Sequence, residues 1–572
     1  MINVTLLPTP RRQVPVLPDR PHVQPLSRQI HRSYPVGRQN FSRACRGEAL
    51  ILTITTEDPL SEGVQAVLST TLNAQPGERW GEVPFERTDA HTLTCRVMLE
   101  RSGLYSFRAA FSWDGGVTWV PDTAPDAWVL VDPPQVDGLR LYTLIPTVSG
   151  KISDWIADLP RIQAMGFNAI HLLPITPLDT SESPYSAHDL FDVDHSYLRE
   201  GTPQEGLAQL EEFVAAARTL GMRLCFDLVL NHVGKDSTMA RQSPDWIVPD
   251  QNEPDGFRRA RYWYDGGWCN WEDLVLIDYE HPSEAIRAEV WDYMTAYALF
   301  WAKYADDTEG FVRFDNLHGS DPEFIQALTR ALHAEYPEVG ILAEYFTDEG
   351  TLLHTGPEWG LNLILATPWN YRFVPQLREY LIYIHRVSEH IRYFMPITSH
   401  DSGTPAQEFG SADSTIPRYV AAALLGTGAT GMPQGVEFGA MEKIDFIGRK
   451  PKLSYPEEPK YARFIAQVNG ILADYPAFRC GQNCRFVDEG HPAIIAAFRR
   501  DTGTETFGFL VVGNFDISNP QRIVIDLGPI LGITGPFPYC DLLSGETQIW
   551  PHPRLELELP PCSAQVLKFP AN

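Results

Sequence analysis

Apolar positions along this chain change their period twice. From about residue 40 to 132, short alternating runs stand between turn signals, as in Ala49-Leu50-Ile51-Leu52-Thr53-Ile54-Thr55 and Gly103-Leu104-Tyr105-Ser106-Phe107-Arg108-Ala109-Ala110-Phe111. Period-two alternation is the mark of a half-buried strand. Asp114-Gly115-Gly116 between two such runs reads as a hairpin turn. An N-terminal β-sandwich over 40–135 is therefore expected. Core packing accounts for most of its aromatics. Pro133-Pro134 marks the exit.

From about 137 the period alternates between strand and helix. Leu139 to Ile145 reads as a first strand, Ser153 to Met165 as a helix, and Phe167-Asn168-Ala169-Ile170-His171-Leu172-Leu173 as a second strand. Leu207, Leu210, Val214 and Ala217 recur at helical spacing, with Gly221 past the C-terminus. A third strand ends in Asp227 and a fifth in Glu344, and Ser320-Asp321-Pro322-Glu323 is a capping box between them. Gly428 to Gly435 covers an eighth strand and its loop. Repeated strand–helix units predict an α/β fold, a (β/α)8 TIM barrel over 136–470. Between His232 and Pro282 lies an excursion rich in Asp, Gly and Trp. It is too long for an ordinary connection and reads as an inserted subdomain, 233–282, after strand three. Short strands such as Phe507 to Phe515 return after about 470, and predict a C-terminal β-sandwich over 471–572. Residues 1–39, rich in Pro and Arg without periodicity, read as an irregular leader.

Composition narrows the function. The 572 residues exceed what one core organises. A net charge of −27 argues against nucleic acid and against an anionic membrane surface. No apolar run is long enough to span a bilayer, and the first residues lack the basic and apolar regions of a secretion signal. The eight cysteines lack metal-ligand spacing. A cytoplasmic protein without membrane or nucleic-acid partners is expected.

The candidate chemistry sits at strand ends. In Gly310-Phe311-Val312-Arg313-Phe314-Asp315-Asn316-Leu317-His318, Arg313 and Asp315 project from one strand face. The guanidinium is expected to orient the carboxylate and hold it ionised, as a nucleophile requires. An isolated Arg-x-Asp is more often a structural ion pair. Three further apolar runs carry polar residues at their ends: Asp227 with Asn231 and His232, Glu344, and His400 with Asp401. Strand C-terminal ends converge on one face of a parallel barrel, which is where catalysis is found.

This ordered set resembles the four signature regions of glycoside hydrolase family 13, the α-amylase family. Asp227-x-x-x-Asn231-His232 is similar to the first region, Gly310-Phe311-x-Arg313-x-Asp315 to the second, Glu344 to the third and His400-Asp401 to the fourth. Ser183-Pro184-Tyr185-Ser186-Ala187-His188-Asp189 resembles the segment whose Tyr stacks on the sugar at the cleavage point. The resemblance implies a retaining mechanism, with Asp315 as nucleophile, Glu344 as acid/base and Asp401 as a third carboxylate that binds the sugar and helps keep Glu344 protonated. It implies that Arg313 orients Asp315, that Tyr185, His232, His400, Asn316 and His318 bind substrate, and that Asp227 and Asn231 give structural support. Asn231 matches a calcium ligand of many α-amylases, but no further oxygen ligands are identifiable, so no cofactor and no essential metal are expected.

One departure bears on the reaction. Asp315-Asn316-Leu317-His318-Gly319 lacks the Lys-His pair common after the nucleophile. With Ala343-Glu344-Tyr345-Phe346-Thr347, it looks closer to the glycogen-debranching type and to the maltosyltransferase that extends α-1,4-glucan from maltose 1-phosphate. The β domain before the barrel and Trp369-Asn370-Tyr371-Arg372 also favour the second branch, whereas His400 favours the first, because the maltosyltransferases lack a His there. The resemblance implies a glycoside hydrolase or transferase cleaving glycogen- or starch-type α-glucans or malto-oligosaccharides, as monomer or homodimer. The alternatives are that maltosyltransferase or a non-catalytic glucan-binding relative.

Overall fold

Eight short parallel strands close into a barrel: β1 (Arg140–Leu144), β2 (Ala169–Leu172), β3 (Arg223–Val229), β4 (Phe311–Asp315), β5 (Gly340–Ala343), β6 (Leu363–Leu365), β7 (Tyr393–Pro396) and β8 (Ala429–Pro433). The computed structural model describes residues 30–32, 41–74, 80–122, 126–199, 206–264, 267–455, 458–501, 503 and 505–570. The expected TIM barrel with β-sandwich regions towards both termini is the fold of the chain. Among the described residues no helix is long and apolar enough to cross a membrane.

The register explains where the chemistry sits. Leu141 lies opposite Ala169, and Cys225 opposite Phe311, in a buried apolar layer that also holds Leu342, Leu363 and Phe394. Two residues further along the same strands, Thr143 lies opposite His171, and Asp227 opposite Arg313. Side chains two apart on a strand share a face. A polar layer therefore stands directly on an apolar one, at the C-terminal ends of the strands.

β6 has no counterpart among the expected strands. Its three residues, Leu363, Ile364 and Leu365, are all buried and too few to show a period. The excursion after β3 forms a three-stranded antiparallel sheet of His232–Gly234, Gly267–Leu276 and Arg259–Tyr264, with a short helix Thr238–Gln242.

By internal contacts the chain falls into two compact units. One comprises 1–134 together with 322–340 and 348–362; the other comprises 135–321, 341–347 and 363–572. In the first, a four-stranded and a six-stranded sheet enclose a core that includes Leu52, Ile54, Leu68, Phe107 and Val129. Asp114 Oδ1 accepts the backbone N–H groups of Val117 and Thr118 at the expected hairpin, where Gly115 and Gly116 take φ of 74° and 88°. The leader expected over 1–39 lies outside the described residues, apart from a strand Ile30–Arg32 paired with Ile54–Thr56. In the second unit, six strands and a separate two-stranded ladder (Gln521–Asp526 with Arg554–Leu559) share one core after the barrel.

Candidate active site

Arg313 is the centre of the polar layer. Its Nη1 donates to Asp227 Oδ2 at 2.5 Å and to Asp315 Oδ1 at 3.1 Å, and its Nη2 donates to Glu344 Oε2 at 2.8 Å. Arg313, Asp227 and Asp315 are buried. Glu344 stands one residue beyond β5 and also accepts the Asn316 N–H at 3.0 Å. That N–H is aimed by the left-handed backbone of Asn316, φ 45°, a conformation Asn tolerates better than most residues.

The expectation that Arg313 holds Asp315 ionised is corrected here. Burial and the Glu344 charge push the Asp315 carboxyl well above the usual range, and Arg313 only partly offsets them. The reason is division: one guanidinium serves three carboxylates, with its shortest contact to Asp227. Burial also works against Asp227, but Arg313 and His171 outweigh it and hold that carboxyl well below its ordinary value.

Asp401 lies in the loop after β7. Desolvation opposes its ionisation, but the charge and hydrogen bond of His400, with Arg313 and Lys443, hold it at about 2. His400 Nε2 lies 2.9 Å from Asp401 Oδ2 and 2.7 Å from the Tyr185 hydroxyl. Tyr185 donates to Asp227 Oδ2 at 3.0 Å, and its ring stacks on that of His400 with centroids 5.8 Å apart. His232 spends its Nε2 on the Tyr185 carbonyl at 3.1 Å, and burial lowers its pKa to about 4, so it is neutral. His318 is exposed beside Glu344, with its ring 5.7 Å from that of Phe346.

Asn231 is buried, and Gly319 lets it approach: a Cβ there would lie 2.7 Å from Asn231 Nδ2. Its Oδ1 has no hydrogen-bond partner among the described residues. A hard cation needs six or more oxygens. Among the described residues no group of three or more His, Cys, Asp or Glu converges as metal ligands.

The structure gathers Asp227, Arg313, Asp315, Glu344, Tyr185, His400 and Asp401 into one connected network. It also shows three participants that the sequence reading passed over. His171 Nε2 lies 3.1 Å from Asp227 Oδ2, and its Nδ1 lies 3.1 Å from Thr143 Oγ1. Its only signal was a polar residue inside an apolar strand. Lys443 donates to the Asp401 carbonyl at 2.9 Å, and the Phe446 ring packs edge-on against Tyr185 and His400. Both come from the loop after β8, where no motif marks them.

Residues 133–254 match the family model "Glycogen debranching enzyme, glucanotransferase domain". The α-1,4-glucan:maltose-1-phosphate maltosyltransferase of Arcanobacterium haemolyticum is 24% identical over 466 residues, covering 74% of this chain and 64% of that protein. The same enzyme of Salinibacter ruber is 26% identical over 380 residues, 59% of this chain and 53% of that protein. The chain thus spans between half and two thirds of the length of these curated relatives. A maltogenic α-amylase from Thermotoga neapolitana shares the fold at a TM-score of 0.60 and 18% identity, covering 76% of this chain and 99% of that one. A cyclomaltodextrinase does so at 0.61 and 15%, covering 95% of this chain and 99% of that one.

Proposed function

From its relationship to the α-amylase family, on the side of its debranching and maltosyltransferase-type members, we propose that this chain is a retaining α-glucan-active hydrolase or transferase. The observation that carries the reading is the suspension of Asp315 and Glu344 from one guanidinium, which keeps two carboxylates close on one cleft. Closely spaced carboxylates are the arrangement of retaining glycosidases.

The proposed steps use these residues in turn. An Asp315 oxygen attacks the anomeric carbon while Glu344 gives its proton to the departing glycosidic oxygen. A glycosyl ester on Asp315 results. Glu344 then takes the proton of an incoming hydroxyl, whose oxygen attacks the same carbon and frees Asp315. Water as acceptor gives hydrolysis, and a sugar hydroxyl gives transfer. Asp315 must be ionised when the first step begins, so Arg313 has to turn its charge towards Asp315 as substrate enters. Asp401, ionised, and His400 bind sugar hydroxyls, and Tyr185 faces the ring.

A second reading is maltosyl transfer from maltose 1-phosphate to α-1,4-glucan, supported by what the curated relatives are named for. There the first leaving group is phosphate and the acceptor is a glucan hydroxyl. An intact set of carboxylates weighs against a purely binding role. The same reading places the protein in the cytoplasm as a monomer or homodimer, which sedimentation analysis checks.

The test is a product map. Maltoheptaose is incubated with the protein, with and without maltose 1-phosphate, and with Asp315→Asn as the blank. Short sugars alone mean a hydrolase, and a ladder on both sides of the starting length means a transferase. Growth by two units only with the phosphate ester selects the maltosyltransferase. No change in any lane removes the proposal for this substrate class.

A further inference from the structure

The inserted sheet carries a row of aromatic rings that the chemistry above does not use. The Trp271 ring lies 6.2 Å from that of His232, and the Tyr262 ring stacks on Trp271 with centroids 4.8 Å apart and planes 27° apart. The row thus starts at the residue whose Nε2 is bonded to the Tyr185 carbonyl and runs outwards from there. It is not core packing. Tyr262 is 37% exposed and Trp271 is only half-buried.

The backbone is shaped for this presentation. Arg261 pairs with Asn270 and Arg259 with Val275, so residues 271–274 oppose only Ala260. A bulge re-aims side chains, and bulges are frequent beside active sites. Here the bulged stretch carries Trp271 and Asp273. The Asp273 charge acts on His232, and its half-buried carboxylate makes no hydrogen bond to any described residue. Aromatic faces with an unspent hydroxyl acceptor beside them are what a neutral sugar needs: the C–H face of a pyranose lies on a ring, and its hydroxyls donate to a carboxylate.

We propose that Trp271, Tyr262 and Asp273 form an extended subsite that binds further glucose units of the α-glucan chain whose reacting unit lies at Asp315. The proposal rests on the function proposed above and gives that enzyme a preference for long chains. Trp271 and Asp273 hold the unit next to His232, and Tyr262 holds the chain beyond it.

Binding by the Asp315→Asn protein separates this idea from its premise, because binding needs no turnover. Affinities for maltoheptaose and for maltose are measured by calorimetry on that background. Tyr262→Ala and Trp271→Ala should each weaken maltoheptaose by about three- to tenfold, with a smaller effect on maltose. Tyr262→Phe, which keeps the ring, should stay within about twofold of the parent. Thermal unfolding confirms that each variant is folded, and Tyr262, being exposed, is the variant least able to disturb the sheet. Unchanged maltoheptaose affinity in folded Tyr262→Ala overturns the subsite while leaving the enzyme reading in place. A parent protein that binds no maltoheptaose overturns both.

Discussion

Asp315 and Glu344 hang from neighbouring nitrogens of one guanidinium, Arg313 Nη1 at 3.1 Å and Nη2 at 2.8 Å. The Asp315 carboxyl therefore feels the Glu344 charge, which raises it, as well as the shared cation, which lowers it. Two carboxylates held this close are the arrangement of retaining glycosidases.

Replacing Asp315 by Asn removes the attacking oxygen without changing the side-chain volume. Turnover should fall by about 10⁵-fold, on the order of 7 kcal/mol of barrier. Thermal unfolding should stay near that of the parent, because a buried carboxylate pushed upwards gains little from its charge. More than a few per cent residual kcat/KM would remove Asp315 from the nucleophilic role.

Asp315 must lose its proton to attack, and its raised carboxyl predicts an acidic limb in the pH dependence of kcat/KM. Asp401, held at about 2, stays ionised throughout, and its charge is one of those raising Asp315. Removing that neighbouring negative charge makes Asp315 easier to deprotonate. The acidic limb of the residual activity of Asp401→Asn should thus lie at lower pH than that of the parent. An acidic limb that stays put or moves upwards contradicts the coupling.

His171 acts through Asp227 and is a positioning residue. Its ring is buried and neutral, with burial lowering its pKa, and its contact to Asp227 sets the carboxylate that Arg313 grips hardest. His171→Ala should lower kcat by about 10- to 100-fold with little change in KM, and should cost about 1–3 kcal/mol of stability by leaving buried polar groups unpaired. His171→Gln can still donate to Asp227 and should recover most of kcat. Equal losses in both variants would reduce His171 to a packing role.

His232 links the site to acid stability. Its pKa is about 4 in the folded chain, below the ordinary value near 6.5, so the unfolded chain takes up the proton first as pH falls. The contribution is complete above about pH 6.5 and is lost progressively down to about pH 4, on the order of 3 kcal/mol in all. Urea midpoints at pH 7 and pH 4.5 should differ less for His232→Gln than for the parent. An equal pH dependence would show that His232 does not titrate as its burial requires.

If Asn231 braces the loop after β3 and holds no essential cation, dialysis against EDTA should leave activity unchanged. Loss of activity that calcium restores would place a metal at or near Asn231.

Most of the architecture was legible because most barrel strands carried an apolar run of readable length, and helices between them had a clear period, as at Leu207, Leu210, Val214 and Ala217. β6 was not, because three residues carry no period. The residues of the polar layer were legible as types at strand ends, such as Asp227 and Asp315. Their division of charge was not: an Arg two residues from an Asp looks like a private pair until the neighbouring strands deliver Asp227 and Glu344 to the same guanidinium.

The sequence by itself determined the order of strands and helices, the carboxylates at the strand ends and the acidic balance that disfavours nucleic acid, since these depend on local period and composition. Only the tertiary structure decided that Arg313 is shared, that His171 stands beneath Asp227, and that Trp271 continues from His232. Those facts depend on sheet register and on a bulge, which bring together residues dozens of positions apart and leave no local pattern along the chain.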